Sequence, residues 1–588
     1  MAKQPFLSRL FPAILAAASA AGLARALLAV SVLARAGWKP VGFPPRPEWL
    51  AGAALAGMAV WFVLSRRTGR WPAAVGFLPG LLGWAAPAVF KRLLVPPLAS
   101  LSFSHLGALR WGERWVETSP GGYLCMGFLG LVLMGLVLGI AAAWWRSSRT
   151  PWVVFALALF AAGAWRTLVF PPTGDEPYIL LSTSSLLQGG NLDLSDDLAR
   201  GADRDIHPVP FRDDLMKHHR VPGRRGETYT YHGLALPFLY LPGYALLGRV
   251  GLAALLAALA ALLLAGIHGF LRSPGMSGAA SRTTAGILAI ASPLPVFTVF
   301  LSPDLPTAAL VALGAAGCLM GHTGLLLAAV TALPWVHHKA VLLGLGLVVG
   351  AALTLGWRKA AVALALLAVS LLGLLLVAAR STSMPVWPPS DFLAFYSSQY
   401  QGGFDVRTVP AALFGTLFDR HQGAVFFPAL LLSLAGLSLL PRRPARLVAA
   451  AAAPYLIALL MFSQWAGGSG APGRMLVVIL PLLAFPLAAV AGRLQSRGWG
   501  RWLIRLVFAG GALLLWVLSA VPALCFTSAR ERVEQAVAAK IGVNPLGFLP
   551  DLARGIPSGS SLATGAAWTA LLALIVFILI RLLRSGKR

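Results

Sequence analysis

PWVVFALALFAAGAWRTLVF (residues 151–170) runs directly into PPTGDEPY (residues 171–178), and the reading of this junction decides the class of the chain. A helix of about 20 apolar residues is long enough to cross a bilayer. Just past its end, Gly174 and Pro177 bracket two adjacent carboxylates, Asp175 and Glu176, in a tight turn that can aim both at one pocket. Ionisable groups at a membrane edge are costly unless they are solvated or used. The pair is therefore either an acid/base site held at the membrane surface or a solvated helix end.

Composition agrees with a membrane reading. The 588 residues are 58% hydrophobic and only 12% charged, with a mean hydropathy of +0.76. Water would have to solvate most of that surface, which excludes a soluble globular domain. The net charge of +28 does not point to nucleic acid, because many Arg and Lys residues sit in short clusters between apolar runs rather than along one stripe. Cys125, Cys318 and Cys525 are too few and too scattered for a disulfide framework or a metal site; Cys125 and Cys525 fall near the same membrane face, where a single bridge could form but nothing in the sequence calls for it.

Lys and Arg flank the cytoplasmic ends of spans. Arg66, Arg67 and Arg70, then Arg146 and Arg149, Arg272 and Arg282, Arg358 and Lys359, Arg442, Arg443 and Arg446, the run from Arg493 to Arg505, and the tail Arg581 to Arg588 all meet this rule on one side. That placement puts 172–250, 381–423, 464–470 and 524–563 outside. The sequence predicts an all-α polytopic protein of about 16 spans, near 10–34, 48–65, 72–90, 122–145, 151–170, 251–271, 283–300, 305–320, 324–334, 340–356, 360–380, 424–440, 447–463, 471–491, 502–523 and 564–583. Three regions follow: 1–149 with about four spans, a core from 150 to 525, and an outer loop with a last span from 526 to 588. At the N-terminus, Lys3, Arg9 and the Ala18-Ser19-Ala20 stretch have the form of a signal peptide, but apolar character resumes after Arg25, which favours an uncleaved span.

The outer loop 172–250 carries the apolar positions Ile179, Leu180, Leu186 and Leu187, predicting a short amphipathic helix on the membrane surface with Asp175 at its head. Its basic residues, among them Arg200, Lys217 and Arg225, suit an anionic partner such as a lipid phosphate. Asp196, Asp197, Asp213 and Asp214 offer oxygens to a divalent cation, although paired acids in loops are more often solvated. Pro334-Trp335-Val336-His337-His338-Lys339 puts a cation and two imidazoles at a helix edge, where Lys339 either meets a phosphate oxygen or snorkels to the interface. Trp465-Ala466-Gly467-Gly468-Ser469-Gly470-Ala471-Pro472-Gly473-Arg474 combines glycines that let backbone amides approach an anion with a forked donor. Phe418-Asp419-Arg420-His421-Gln422-Gly423 gathers an acid, a base and an imidazole at a span entrance, as a positioning element.

In this order, Gly-Asp-Glu-Pro-Tyr, Gly-Asn-Leu-Asp-Leu (190–194), Pro-Trp-x-His-x-Lys, Phe-Asp-Arg-x-x-Gly and Trp-x-Gly-Gly-x-x-x-x-Gly-Arg resemble bacterial members of the GT-C superfamily of membrane glycosyltransferases. The similar group is that of the protein O-mannosyltransferases and aminoarabinose transferases, glycosyltransferase family 39-like. The resemblance covers roughly residues 150–525; residues 1–149 have no counterpart in it. It implies a GT-C-like membrane core and transfer of a sugar, with inversion, from a polyprenyl-phosphate donor to a lipid, glycan or protein acceptor at the outer face of a bacterial plasma membrane. On that resemblance Asp175 is the general base and Glu176 orients the acceptor or binds a metal. Lys339, His338 and Arg474 meet the donor phosphate, and Tyr178, Asp419, Arg420 and Trp465 position the substrates. No cofactor is implied beyond an optional divalent cation, and no nucleic-acid partner.

Two other classes fit the composition. A transporter or flippase would use the same charges to line a pathway, but it predicts ionisable groups near the midplane and related halves, whereas the charges here concentrate in outer loops. A non-catalytic membrane protein that kept the fold is the third class.

Overall fold

The computed structural model describes residues 151–585 outside short segments, of which 207–219 and 383–402 are the longest, and two small hairpins in the first 150 residues. These pair β1 (Ser31–Ala34) with β2 (Gly37–Pro40) and β3 (Ala108–Trp111) with β4 (Arg114–Glu117), both antiparallel. The spans expected at 48–65, 72–90 and 122–145, nearly all of that at 10–34, and the residues Cys125, Asp213, Asp214 and Lys217 lie outside the described residues.

The chain divides into two compact units. One comprises Met1–Pro171, Trp516–Leu524 and Ala529–Asn544, and contains α1 (Pro151–Val169). The other comprises Pro172–Leu515, Cys525–Ser528 and Pro545–Arg588. Its elements run α2 (Glu176–Gly189), α3 (Ser195–Arg200), a hairpin of β5 (Arg220–Pro222) and β6 (Thr228–Thr230), α4 (Ala235–Arg272), α5 (Gly278–Ile290), α6 (Leu294–Thr298) and α7 (Asp304–Met320). They continue with α8 (Thr323–Val336), α9 (Ala340–Leu355), α10 (Trp357–Ser381), α11 (Val409–Phe418), α12 (Pro428–Leu437), α13 (Arg442–Met461) and a 3₁₀ turn (Arg474–Ile479) that runs into α14 (Leu480–Gln495). Most of α15 (Gly498–Ala520) and all of α16 (Gly559–Arg584) complete the unit.

Among the described residues, 6 helices are long and apolar enough to cross a membrane: α4, α10, α13, the stretch Arg474–Gln495, α15 and α16. Shorter apolar helices, α1, α7, α8, α9, α11 and α12, accompany them. A chain of this composition with these helices is a multi-pass membrane protein. Lipid supplies no hydrophobic drive between helices, so close packing has to come from small residues. Gly346 and Gly350, one turn apart on α9, lie against α13: a Cβ on Gly346 would come within 2.3 Å of the Ala451 carbonyl oxygen, and Leu447 covers Gly350.

Three expectations change. First, α2 is no surface helix: Glu176 to Ser185 are all buried, on every side of the helix. The apolar positions that suggested one stripe are joined by Ser182, Thr183 and Ser184, whose small side chains also pack inside, and the Thr183 hydroxyl donates to the Ile179 carbonyl at 2.6 Å. Second, the outer loop ends earlier than residue 250. Residues 235–246 are helical and join the span through a break at Leu247 and Gly248, where Gly248 has φ 55°. Third, the span expected at 283–300 is interrupted, with α5 ending at Ile290 and α6 starting at Leu294 around Pro293.

The basic helix ends gather together. Arg493 and Arg497 donate to the Leu583 carbonyl at 3.0 and 3.3 Å, Arg584 to that of Ser438 at 3.0 Å, and Arg443 to that of Cys318 at 3.3 Å. These cations satisfy carbonyls that a helix leaves open at its C-terminus. The opposite helix ends carry the candidate site.

Candidate active site

Asp175 caps α2, and its backbone carbonyl accepts the Ile179 N–H at 3.3 Å. Its side chain meets Arg474, the first residue of the 3₁₀ turn before α14: Nη2 donates to Oδ2 at 2.5 Å. The same guanidinium donates through Nε to Asp304 Oδ2 at 3.3 Å and through Nη1 to the Gly467 carbonyl at 3.2 Å. Arg474 and Asp175 retain 20% and 21% side-chain exposure and Asp304 12%, so the cluster is recessed but open to a ligand. Guanidinium forks of this kind recognise carboxylates and phosphates alike.

Asp304 was not among the residues singled out by sequence. It is the first residue of α7, after Ser302 and Pro303, and the Ser302 hydroxyl oxygen accepts its N–H at 3.3 Å. A lone acid between two apolar runs was the available signal, because such a group is rarely placed there without a partner.

Glu176 points elsewhere. It is 1% exposed, and Arg249 donates to it at 3.3 Å from a position 6% exposed, directly after the break in α4. The two adjacent carboxylates therefore serve different partners. Glu176 ties the first turn of α2 to α4, while Asp175 faces Arg474.

Lys339 lies in the connection between α8 and α9, half-buried, with Nζ 5.2 Å from the centre of the Phe462 ring. Burial and then the neighbouring Arg474 bring its ammonium down to about 8, against the opposing pull of Asp175 and Asp304. The Lys339 N–H donates to His337 Nδ1 at 3.1 Å, and the rings of His337 and His338 lie 4.1 Å apart. Burial also holds His232 below the usual imidazole value in spite of the nearby Asp175, so that ring is neutral at pH 7. His232 stacks on Tyr178 at 5.6 Å. The adjacent Gly233 has no room for a side chain, since a Cβ there would overlap the Val336 carbonyl at 1.9 Å. This close approach fixes the segment before α4 against the end of α8.

The other expected residues have structural partners. Asp419 is 0% exposed: Oδ1 accepts the N–H groups of His421 and Gln422 at 2.9 and 2.8 Å, and Oδ2 those of Leu552 and Ala553 at 2.8 and 3.0 Å. Arg420 pairs with Asp551. Trp465 is 5% exposed and packs over Gly415 of α11. In the Gly-Asn-Leu-Asp-Leu stretch, Asp193 Oδ1 accepts the N–H groups of Ser195 and Thr228 at 2.9 Å each, and Leu194 is fully buried. That motif fastens the end of α2 to the β5–β6 hairpin. Asp196 and Asp197 both pair with Arg200, at 3.3 and 2.7 Å. Among the described residues, no three His, Cys, Asp or Glu side chains gather as a metal site. An apolar groove of about 510 Å³ is lined by Ala235 and by Leu327, Thr331, Trp335 and Val336 of α8.

No family profile matches the chain, and no curated protein matches it. Among solved structures, it is similar to ArnT from Cupriavidus metallidurans bound to undecaprenyl phosphate, at 19% identity over 74% of this chain and 77% of that one, with a TM-score of 0.41. It is also similar to the apo form of ArnT from Cupriavidus metallidurans, at 20% identity over 74% of this chain and 76% of that one, with a TM-score of 0.38.

Proposed function

We propose that this chain is a membrane glycosyltransferase of the GT-C type, which moves a sugar from a polyprenyl-phosphate donor to an acceptor hydroxyl. The observation that carries the reading is the joining of Asp175 and Asp304 to Arg474, with Lys339 within electrostatic reach of all three. Three distant segments deliver two carboxylates and a guanidinium to one recessed place at the helix ends, and a fourth brings the Lys339 ammonium within reach of their charges. Each part matches a part of the reaction.

Arg474 and Lys339 suit the phosphate of the donor, and the apolar groove on α8 suits part of a prenyl chain. The acceptor oxygen attacks the anomeric carbon from the face opposite the phosphate, so the configuration inverts. As the new C–O bond forms, the bond to the phosphate oxygen breaks and that oxygen leaves with the electron pair, stabilised by the two cations. Asp175 takes the acceptor proton, because an alcohol is a poor nucleophile until it is deprotonated in the transition state. In the resting site Arg474 is engaged by Asp175. The arriving phosphate competes for that guanidinium and releases the carboxylate for the acceptor, while Asp304 keeps Arg474 oriented. Glu176 and Arg249 hold the turn that carries Asp175.

The same reading takes about 16 spans, with the arginine-rich helix ends in the cytoplasm of a bacterial cell and the site at the outer face of the plasma membrane. The test is to incubate purified protein with a panel of radiolabelled polyprenyl-phosphate sugars and acceptor lipids. Transfer of label from at least one donor by the wild type, abolished in Asp175→Asn, is expected. Transfer that survives Asp175→Asn, or no transfer from any donor, would refute the reading.

A further inference from the structure

The turn that presents Arg474 is gripped at both of its ends by Gln422. Gln422 is 5% exposed; its side-chain amide donates to the Gly470 carbonyl at 3.2 Å, and its own carbonyl accepts the Gly473 N–H at 2.9 Å. Both ends of the Gly470–Gly473 turn are thus tied to one side chain and its backbone. Gly473, with φ 70°, sits in the left-handed region that favours glycine, and Arg474 follows it directly. The direction in which the guanidinium leaves the chain is therefore set by the turn that Gln422 holds.

Gln422 is in turn held by the C-terminal part of the chain. Its amide also donates to the Thr527 hydroxyl at 2.5 Å. Asp419 places the Gln422 N–H on one carboxylate oxygen and the N–H groups of Leu552 and Ala553 on the other. The Arg420 N–H donates to the Pro550 carbonyl at 3.0 Å, beside the pair of Arg420 with Asp551. Charge-assisted hydrogen bonds of this kind are the strong ones.

We propose that Gln422 is the positioning residue for Arg474, and that residues 550–553, through Asp419, are the support that keeps it in place. This assigns to the Phe-Asp-Arg-x-x-Gly element a role in phosphate recognition exerted through the 470–474 turn rather than by contact with substrate. It rests on the reading that Arg474 binds the donor phosphate.

The experiment measures undecaprenyl phosphate binding by full-length protein in nanodiscs, for the wild type, Gln422→Ala, Gln422→Met, Arg474→Ala and the Gln422→Ala/Arg474→Ala double variant. Loss of one neutral hydrogen bond of positioning should weaken binding about 3- to 10-fold in either Gln422 variant. The Gln422 effect should disappear in the Arg474→Ala background, the signature of action through that residue. Wild-type affinity in Arg474→Ala overturns the reading on which the proposal rests. Weakened binding in Arg474→Ala with wild-type affinity in the Gln422 variants, or full additivity of the two changes, overturns the positioning role alone. Where the Gln422 variants fail to fold, hydrogen exchange on the wild type decides: the Gly473 amide should be protected, and exchange at the rate of an open turn would overturn the proposal.

Discussion

Arg474 and Asp175, separated by 299 positions in the chain, meet through a hydrogen bond of 2.5 Å, and the guanidinium reaches Asp304 as well. The residue suited to bind a phosphate is thus held by the residue suited to take a proton. On the proposed function, donor binding and activation of the base would be linked events, since a phosphate on Arg474 would compete with Asp175.

Asp175→Asn separates the two roles. It keeps the shape of the side chain and removes the proton acceptor, so turnover should fall by about 100-fold or more. Undecaprenyl phosphate should bind as well as to wild type or more tightly, because the competing carboxylate is gone. Near-wild-type transfer under saturating donor would make Asp175 a helix-end residue.

On the proposed function, in which Lys339 meets the donor phosphate, phosphate binding is expected to depend on pH. The Lys339 ammonium, brought down to about 8, is charged below that pH and neutral above it. An alkyl phosphate has already lost its second proton by then, near pH 6. Affinity for undecaprenyl phosphate should therefore hold from pH 7 to about 8 and decline at higher pH. Lys339→Arg, whose charge persists, should remove the decline. An unchanged profile in Lys339→Arg would show that another group titrates.

The Glu176–Arg249 pair is buried on both sides. Arg249→Met leaves Glu176 without its cation and should destabilise the protein by about 3–5 kcal/mol. Adding Glu176→Gln should recover much of that loss. Denaturant unfolding of the purified single and double variants measures it, and strict additivity would mean that the two residues do not act as a pair.

Topology is tested with single cysteines in a background lacking Cys125, Cys318 and Cys525. A cysteine replacing the exposed Asn191 should react with an impermeant thiol reagent in intact cells, and one replacing Arg443 should not. Labelling at Arg443 would invert the orientation.

Membrane class and the positions of most helices between residues 150 and 588 were legible in the chain, and Asp175, Lys339 and Arg474 stood out in it as ionisable residues at helix edges. These depend on local quantities: the length of an apolar run, the clustering of cations at its ends, and the rarity of an ionisable residue at a helix edge. The local pattern did not separate Asp175 from Glu176; their different expected roles came from the family resemblance alone. They are neighbours of like chemistry, and only the position of Arg249 after the break in α4 turns one inward while Arg474 receives the other. Asp304 was hidden for the same reason, since a single acid gains meaning only from a partner far along the chain. The burial of α2 also lay beyond periodicity, because short Ser and Thr side chains pack inside as readily as outside once their hydroxyls bond back to the helix. Local chemistry determined which groups could act; the tertiary structure decided which of them face one another, because contacts between distant segments depend on how the helices pack and not on any stretch of sequence alone.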